Sequence, residues 1–438
     1  MDSDKDLLFP AFQKFYSALN SLERFRKENS FFDNISSLDT FFSEFRNVTF
    51  VLKKSVKHTT YMPIYEQLLE KHLAPLRWFV DTRNETTKEH PFELVKQVEI
   101  TAYMPWRSFE IIEKQYTVTD DEPLSSVIDK SKIFLGKIHP VEVFFSARFS
   151  FFKQGSDENI FEKIPQGLRC MLDFLEEFYK LLPRESHLTD EIRSRIERNP
   201  IMRGRQSIYL VTDYVYYPVQ NEFEPVNRWE VTIVPSSLTL PFNGKTIPRC
   251  SLVHWRKLWK KLGKTDFERF SAQHVFFEID LMQKNQDLLP AFMIIFDDDS
   301  YEIDAFNANN KTTLYRKINE TAQQVLRENV KEVFFEYSLL KIADVPGVLN
   351  MTSKDRQKFA TEEWLVLLKI DNELNEEEYR FYVPGLKCSG YIRQQFKTGS
   401  DKKLDWGKDN MRPIIEAFKK KKAMKDTADK NQSQGETP

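Results

Sequence analysis

The chain has 438 residues, 41% hydrophobic and 30% charged, which places it among globular proteins of two or three domains, long enough to bury a core. A formal net charge of −2 excludes a chain that binds nucleic acid as a polyelectrolyte, while leaving room for a local basic face. Thirty-seven Phe argue for aromatic-rich cores, and only 12 Gly argue against a glycine-rich nucleotide-binding design.

Cys170, Cys250 and Cys388 are far apart, odd in number and without a CxxC pair. Neither a disulfide framework nor a zinc ribbon is expected, and a reducing compartment is. The N-terminus, MDSDKDLLFP, has neither the basic nor the apolar region of a signal peptide. No run of about 18 apolar residues occurs, so the expectation is a cytoplasmic protein with no membrane partner.

From Leu7 to about Val80 the pattern is helical. Phe12, Phe15, Tyr16, Leu19, Leu22 and Phe25 recur in steps of three and four. Ser36 or Ser37 is the expected cap of a second helix carrying Leu38, Phe41, Phe42, Phe45, Phe50 and Leu52. Pro63 suits the first turn of a third helix with Tyr65, Leu68, Leu69, Leu73, Leu76 and Phe79, and Pro75 inside it predicts a kink or break. A fourth helix is expected from Pro91, carrying Phe92, Leu94 and Val95, to complete an N-terminal helical bundle.

After Gln97 the character changes. Strands are predicted over residues 98–103, 141–152, 208–217, 229–234, 275–281, 292–296, 301–306, 333–341 and 364–370, and helices over 168–182, 191–198 and 313–329. The irregular alternation favours α+β over a doubly wound sheet. The expected organisation is a helical bundle over 1–105, a larger mixed region over 106–422 with a subdomain split near 200–290, and a disordered tail over 423–438. Lys419 to Lys422 are read as a solvated helix C-terminus.

One segment carries a chemical pattern: Asp81-Thr82-Arg83-Asn84-Glu85-Thr86-Thr87-Lys88-Glu89-His90-Pro91, expected between the helix ending near Val80 and the one Pro91 opens. Its residues suit phosphodiester cleavage in RNA by the ribose 2′-hydroxyl. His90 titrates in the range needed to move a proton. Arg83 offers a planar, permanently charged fork to hold the phosphate, and Asn84 can orient either group. The scheme requires no metal and no cofactor, and DNA, lacking the 2′-hydroxyl, should resist.

A helical bundle followed by Arg-Asn and, after six intervening residues, His resembles the HEPN superfamily. The resemblance covers roughly residues 7–105, about a quarter of the chain. It implies a homodimer through the N-terminal bundle whose two motifs meet in one cleft, and metal-independent endoribonuclease activity on RNA. Toxin–antitoxin or antiviral defence systems, with an antitoxin or regulator as partner, are the implied setting. It also implies an acidic or polar residue on an earlier helix, for which Glu44 is the candidate. The C-terminal region would then sense a trigger or bind substrate. The alternative is a non-catalytic HEPN-like dimerisation or binding protein.

Other features weigh less. Asp297-Asp298-Asp299, with Glu302 and Asp304, could hold a divalent cation, although a hairpin turn is favoured there. Arg193, Arg195, Arg198, Arg203 and Arg205 could contact phosphates, but the interleaved Glu191 and Glu197 favour a solvated face. His254, Trp255, Arg256 and Trp259 with Lys257, Lys260 and Lys261 form an aromatic and basic helix that more often buries its Trp than stacks bases. Cys170 is expected to be buried and inert.

Overall fold

The structure is a computed structural model that describes residues 7–25, 31–73, 76–88, 94–107, 110–118, 122–156, 159–182, 187–197, 199, 201–202, 210–226, 230–233, 289–298, 300–307, 311–382, 391–397 and 411–434. The class is mixed α+β, with helices first and sheets after them. Two units partition the chain, and both are discontinuous. The first comprises Met1–Ile100, Glu113–Ser131 and Ala147–Thr212, and the second Thr101–Ile112, Lys132–Ser146 and Asp213–Pro438.

The first unit opens with α1 (Phe9–Arg24), α2 (Phe31–Val56), α3 (Met62–Leu73) and α4 (Arg77–Lys88). The predicted apolar steps in α1 hold: Phe12, Phe15, Leu19 and Leu22 are all buried. They meet α2, where Phe45 stands 6.3 Å from Phe15 between ring centroids. Pro63 does lie in the first turn of α3, and Pro75, where a kink or break was expected, lies outside the described residues.

Three expectations about this N-terminal stretch need correcting. First, α2 begins at Phe31, ahead of Ser36 and Ser37. Both serines lie within the helix, and Ser37 Oγ donates to the carbonyl of Asp33 at 2.9 Å. Second, the chain does not leave the helix near Val80. α4 runs on to Lys88 because Thr82 is buried and Glu85 is ion-paired with Lys153, so the polar stretch has an inner face. Third, Leu94 and Val95 begin a strand, β1 (Leu94–Met104), rather than continuing a helix from Pro91. Its Val98, Ile100 and Ala102 are buried, and β-branched residues suit a pleated surface better than a helix.

The other strands of the first sheet are β2 (Glu110–Val118), β3 (Val143–Lys153), β4 (Val211–Tyr217) and β5 (Glu222–Pro225), in the order β2-β1-β3-β4-β5. Helix α5 (Leu124–Leu135) lies between β2 and β3 in the chain. Helix α6 (Ile160–Tyr179) starts earlier than residue 168, because the side chain of Asn159 accepts the Phe161 N–H and caps it. α7 (His187–Glu197) follows.

In the second unit, β6 (Glu230–Ile233), β7 (Ala291–Phe296), β8 (Tyr301–Phe306), β9 (Val330–Ile342), β10 (Ala360–Asp371), β11 (Asn375–Tyr382) and β12 (Tyr391–Lys397) build a seven-stranded sheet in the order β12-β11-β10-β9-β7-β8-β6. Neighbouring strands pair antiparallel. Val333, Phe335 and Tyr337 alternate along β9 into one core with Leu314, Ile318, Ala322 and Val325 of α8 (Lys311–Arg327). Short helix α9 (Ser353–Gln357) precedes β10.

Helix α10 (Arg412–Gln434) adds Ile414, Ile415 and Phe418 to that core. It passes through most of the stretch expected to be a disordered tail. Ala, Met, Lys, Asp and Gln make up much of that stretch, and most of these propagate a helix already anchored upstream. The lysine run likewise falls inside α10 rather than at its end. Lys421 donates to the carbonyls of Val325, at 3.0 Å, and Glu328, satisfying acceptors that the end of α8 leaves open. The predicted strand 275–281 and the 254–261 segment lie outside the described residues.

Candidate functional site

α4 reaches the first unit's core through aromatic stacking. Phe79 lies 4.8 Å from Phe45 and Trp78 lies 5.6 Å from Phe42 between centroids, and Phe41 closes the cluster. α6 permits this approach at Gly167, where a methyl group would meet the Phe79 ring at 2.1 Å. One turn beyond Phe79, the half-buried Arg83 donates from Nη1 to Asn84 Oδ1 at 3.3 Å. The fold therefore places Arg83 and Asn84 on one short stretch of helix rather than in a loop.

Glu44 is held elsewhere. On α2, Phe41, Phe42 and Phe45 are the residues that meet α4, whereas Glu44 accepts from Lys14 of α1 at 2.9 Å. His90 lies outside the described residues.

Beside the same aromatic cluster is a cavity of about 510 Å³. Its walls are Phe45, Phe50, Leu69, Leu76, Phe79, Val80 and Met171. Arg46, Lys53 and Lys54 of α2 and Lys57 just beyond its end stand at its mouth, all exposed. The polar groups of the wall, Thr49 and Tyr65, bond within the protein. Tyr65 Oη donates to the Thr49 carbonyl at 3.0 Å, and Thr49 Oγ1 accepts from Arg46 at 2.9 Å. Burial pushes the Tyr65 hydroxyl up to about 12.

The second unit holds a buried ionic network that the sequence reading missed. Arg316 of α8, 1% exposed, donates to both oxygens of Asp213 on β4, at 2.9 Å from Nε and 3.0 Å from Nη2. It also meets Glu230 of β6 and, at 3.0 Å, Glu320. Lys317 reaches Glu230 at 2.7 Å and Asp304 of β8 at 3.0 Å. Ser146 and Thr313 donate to Asp213, and Tyr103 donates to Ser146. The carboxylates around Arg316 hold its guanidinium fully protonated against the cost of burial. Adjacent Arg and Lys on an amphipathic helix gave no local sign of this, because their partners lie up to 103 positions away.

Of the candidate cation-site carboxylates, Asp298 and Asp304 serve other ends and Asp299 lies outside the described residues. Asp298 accepts from the N–H and hydroxyl of Ser300, closing the β7–β8 hairpin, and those bonds hold its carboxyl below its ordinary range. Asp304 accepts from Lys317 and Thr232. Among the described residues no group of three or more His, Cys, Asp or Glu is arranged to hold a metal ion.

Of the arginine cluster, Arg193 stacks 3.9 Å over the Tyr179 ring and bonds Glu176, while Arg195 bonds Glu191 at 2.7 Å. Arg193 is thereby tied to α6, and Arg195 within α7. Arg198, Arg203 and Arg205 lie outside the described residues. Cys170 is half-buried rather than enclosed, since it sits on α6 away from the inward stripe of Leu168, Met171 and Phe174. Among the described residues no helix is long and apolar enough to cross a membrane. Compared with known families, curated proteins and solved structures, the chain finds no significant match.

Proposed function

We propose that the protein is a metal-independent endoribonuclease of HEPN type, with Arg83 holding the scissile phosphate, His90 moving the proton and Asn84 orienting the guanidinium. The observation that carries this reading is the hydrogen bond between Arg83 and Asn84 on a half-buried stretch of α4. It fixes one arm of the fork, which lowers the ordering cost of binding an oxyanion.

In this scheme the 2′-hydroxyl oxygen attacks the adjacent phosphorus and the 5′-oxygen leaves. The products are a 2′,3′-cyclic phosphate and a 5′-hydroxyl. Arg83 offsets the charge that builds on the phosphorane oxygens. One imidazole cannot take the attacking proton and supply the leaving group's in the same instant. That requirement supports a homodimer in which two copies of His90 share a cleft. The same reading carries a cytoplasmic location and an antitoxin or other regulator as a partner, in a toxin or antiviral role.

The test uses labelled single-stranded RNA and matched DNA in excess EDTA. Wild type should cut RNA alone. His90→Ala should lose roughly 100- to 10,000-fold in rate. Arg83→Ala should lose roughly 100- to 1,000-fold, with both variants still folded by circular dichroism. Cutting that survives both substitutions overturns the assignment.

A further inference from the structure

We propose that the cavity between α2, α3, α4 and α6 binds an amphipathic anion: a hydrocarbon chain carrying a phosphate or carboxylate head. The cavity, at about 510 Å³, falls within the range of small-molecule sites, roughly 300–1,000 Å³. Its interior is aliphatic and aromatic, and the two polar groups of its wall are already satisfied within the protein. It thus offers little to the hydrogen-bonding edge of a base or a peptide, whose polar groups would be stripped of water without compensation. A hydrocarbon chain suffers no such cost and gains from leaving water.

The mouth names the other end of the ligand. Arg46, Lys53 and Lys54 project from α2 and Lys57 from the turn that follows it, and no acidic side chain lines the cavity with them. Among the described residues none of the four is ion-paired. Four exposed cations around an apolar opening attract an anionic head and leave the chain free to enter. Phe50, 49% exposed beside Lys54, puts a hydrophobic edge at the same opening. This inference is independent of the ribonuclease reading and uses none of its residues.

The experiment is calorimetric titration of the full-length chain with dodecyl phosphate and with dodecanoate, each below its micellar concentration. Dodecanol and inorganic phosphate serve as controls. Both amphiphiles should bind at least ~10-fold more tightly than either control, as expected where head and chain each contribute more than about 1.4 kcal/mol. The double substitution Lys53→Glu with Lys57→Glu changes only exposed positions. It should weaken both amphiphiles at least ~10-fold, about 1.4 kcal/mol, and leave dodecanol unchanged.

A preference for the phosphate head would point to a phospholipid-like source and a preference for the carboxylate to a fatty acid. Dodecanol binding as tightly as the anions would overturn the proposal, as would amphiphile affinity indifferent to the double substitution. So would a short RNA oligonucleotide that displaces dodecyl phosphate and itself binds more tightly.

Discussion

Replacing Arg316 by Met is expected to destabilise the protein by about 3–5 kcal/mol, read from the midpoint and slope of a urea transition. The native guanidinium stands among Asp213, Glu230 and Glu320, and the first two of these are as deeply buried as Arg316 itself. Removing it leaves those carboxylates with Lys317 as the remaining buried cation. A carboxylate stripped of its partner in a dry site has its pKa raised, so the folded variant takes up protons that the unfolded chain does not.

The sign follows. Between the ordinary carboxylate range and the raised value, stability of the variant falls as pH rises, and its deficit narrows as pH is lowered. Pairing Arg316→Met with Asp213→Leu should recover part of the loss, because an apolar pair avoids the desolvation cost that a lone charge incurs. A cost for Arg316→Met below about 1 kcal/mol, the level of an exposed ion pair, would mean the network is solvated rather than buried.

Gly167→Ala should cost about 1–3 kcal/mol, although Ala is the better helix former by about 1 kcal/mol. The added methyl would lie 2.1 Å from one carbon of the Phe79 ring and 2.2 Å from another, far inside the roughly 3.5–4.0 Å at which carbons rest. The ring cannot swing aside freely, since Phe41, Phe42, Phe45 and Trp78 pack around it. Phe79→Leu should lose packing alone, yet relieve the clash when combined with Gly167→Ala. The double-mutant cycle should therefore show coupling of about 0.5–3 kcal/mol in the compensating direction. Additive effects would place the glycine away from the ring.

Periodicity made much of the fold legible. The three-and-four steps of α1, the continuous apolar run of β7 and the alternating β9 followed from local rules. What escaped was set by residues distant in sequence. β2 has a largely exposed, charged pattern, EIIEKQYTV, and offers no apolar alternation to notice. Arg316 and Lys317 gave no sign of burial, since charged side chains usually face solvent and theirs depends on Asp213, Glu230 and Asp304 arriving from other strands.

The candidate site divides in the same way. Arg83 and Asn84 were visible as a motif. That they sit within α4 rather than in a loop depends on Thr82 turning inward and on Lys153 pairing with Glu85, neither of which the motif encodes. Glu44 was named by resemblance, and its pairing with Lys14 comes from the packing of α1 on α2. The cavity draws its wall from residues between Phe45 and Met171, so no window of sequence contains it.

The measurement that tests the ribonuclease proposal most directly is cleavage, in excess EDTA, of an RNA that carries one 2′-deoxynucleotide immediately 5′ of the phosphate cut in the unmodified strand. The proposal predicts that cleavage at that phosphate disappears while neighbouring sites are still cut, and that the unmodified strand yields a 2′,3′-cyclic phosphate and a 5′-hydroxyl. Continued cutting at the deoxy position would contradict attack by the 2′-hydroxyl, and with it the roles given to Arg83 and His90.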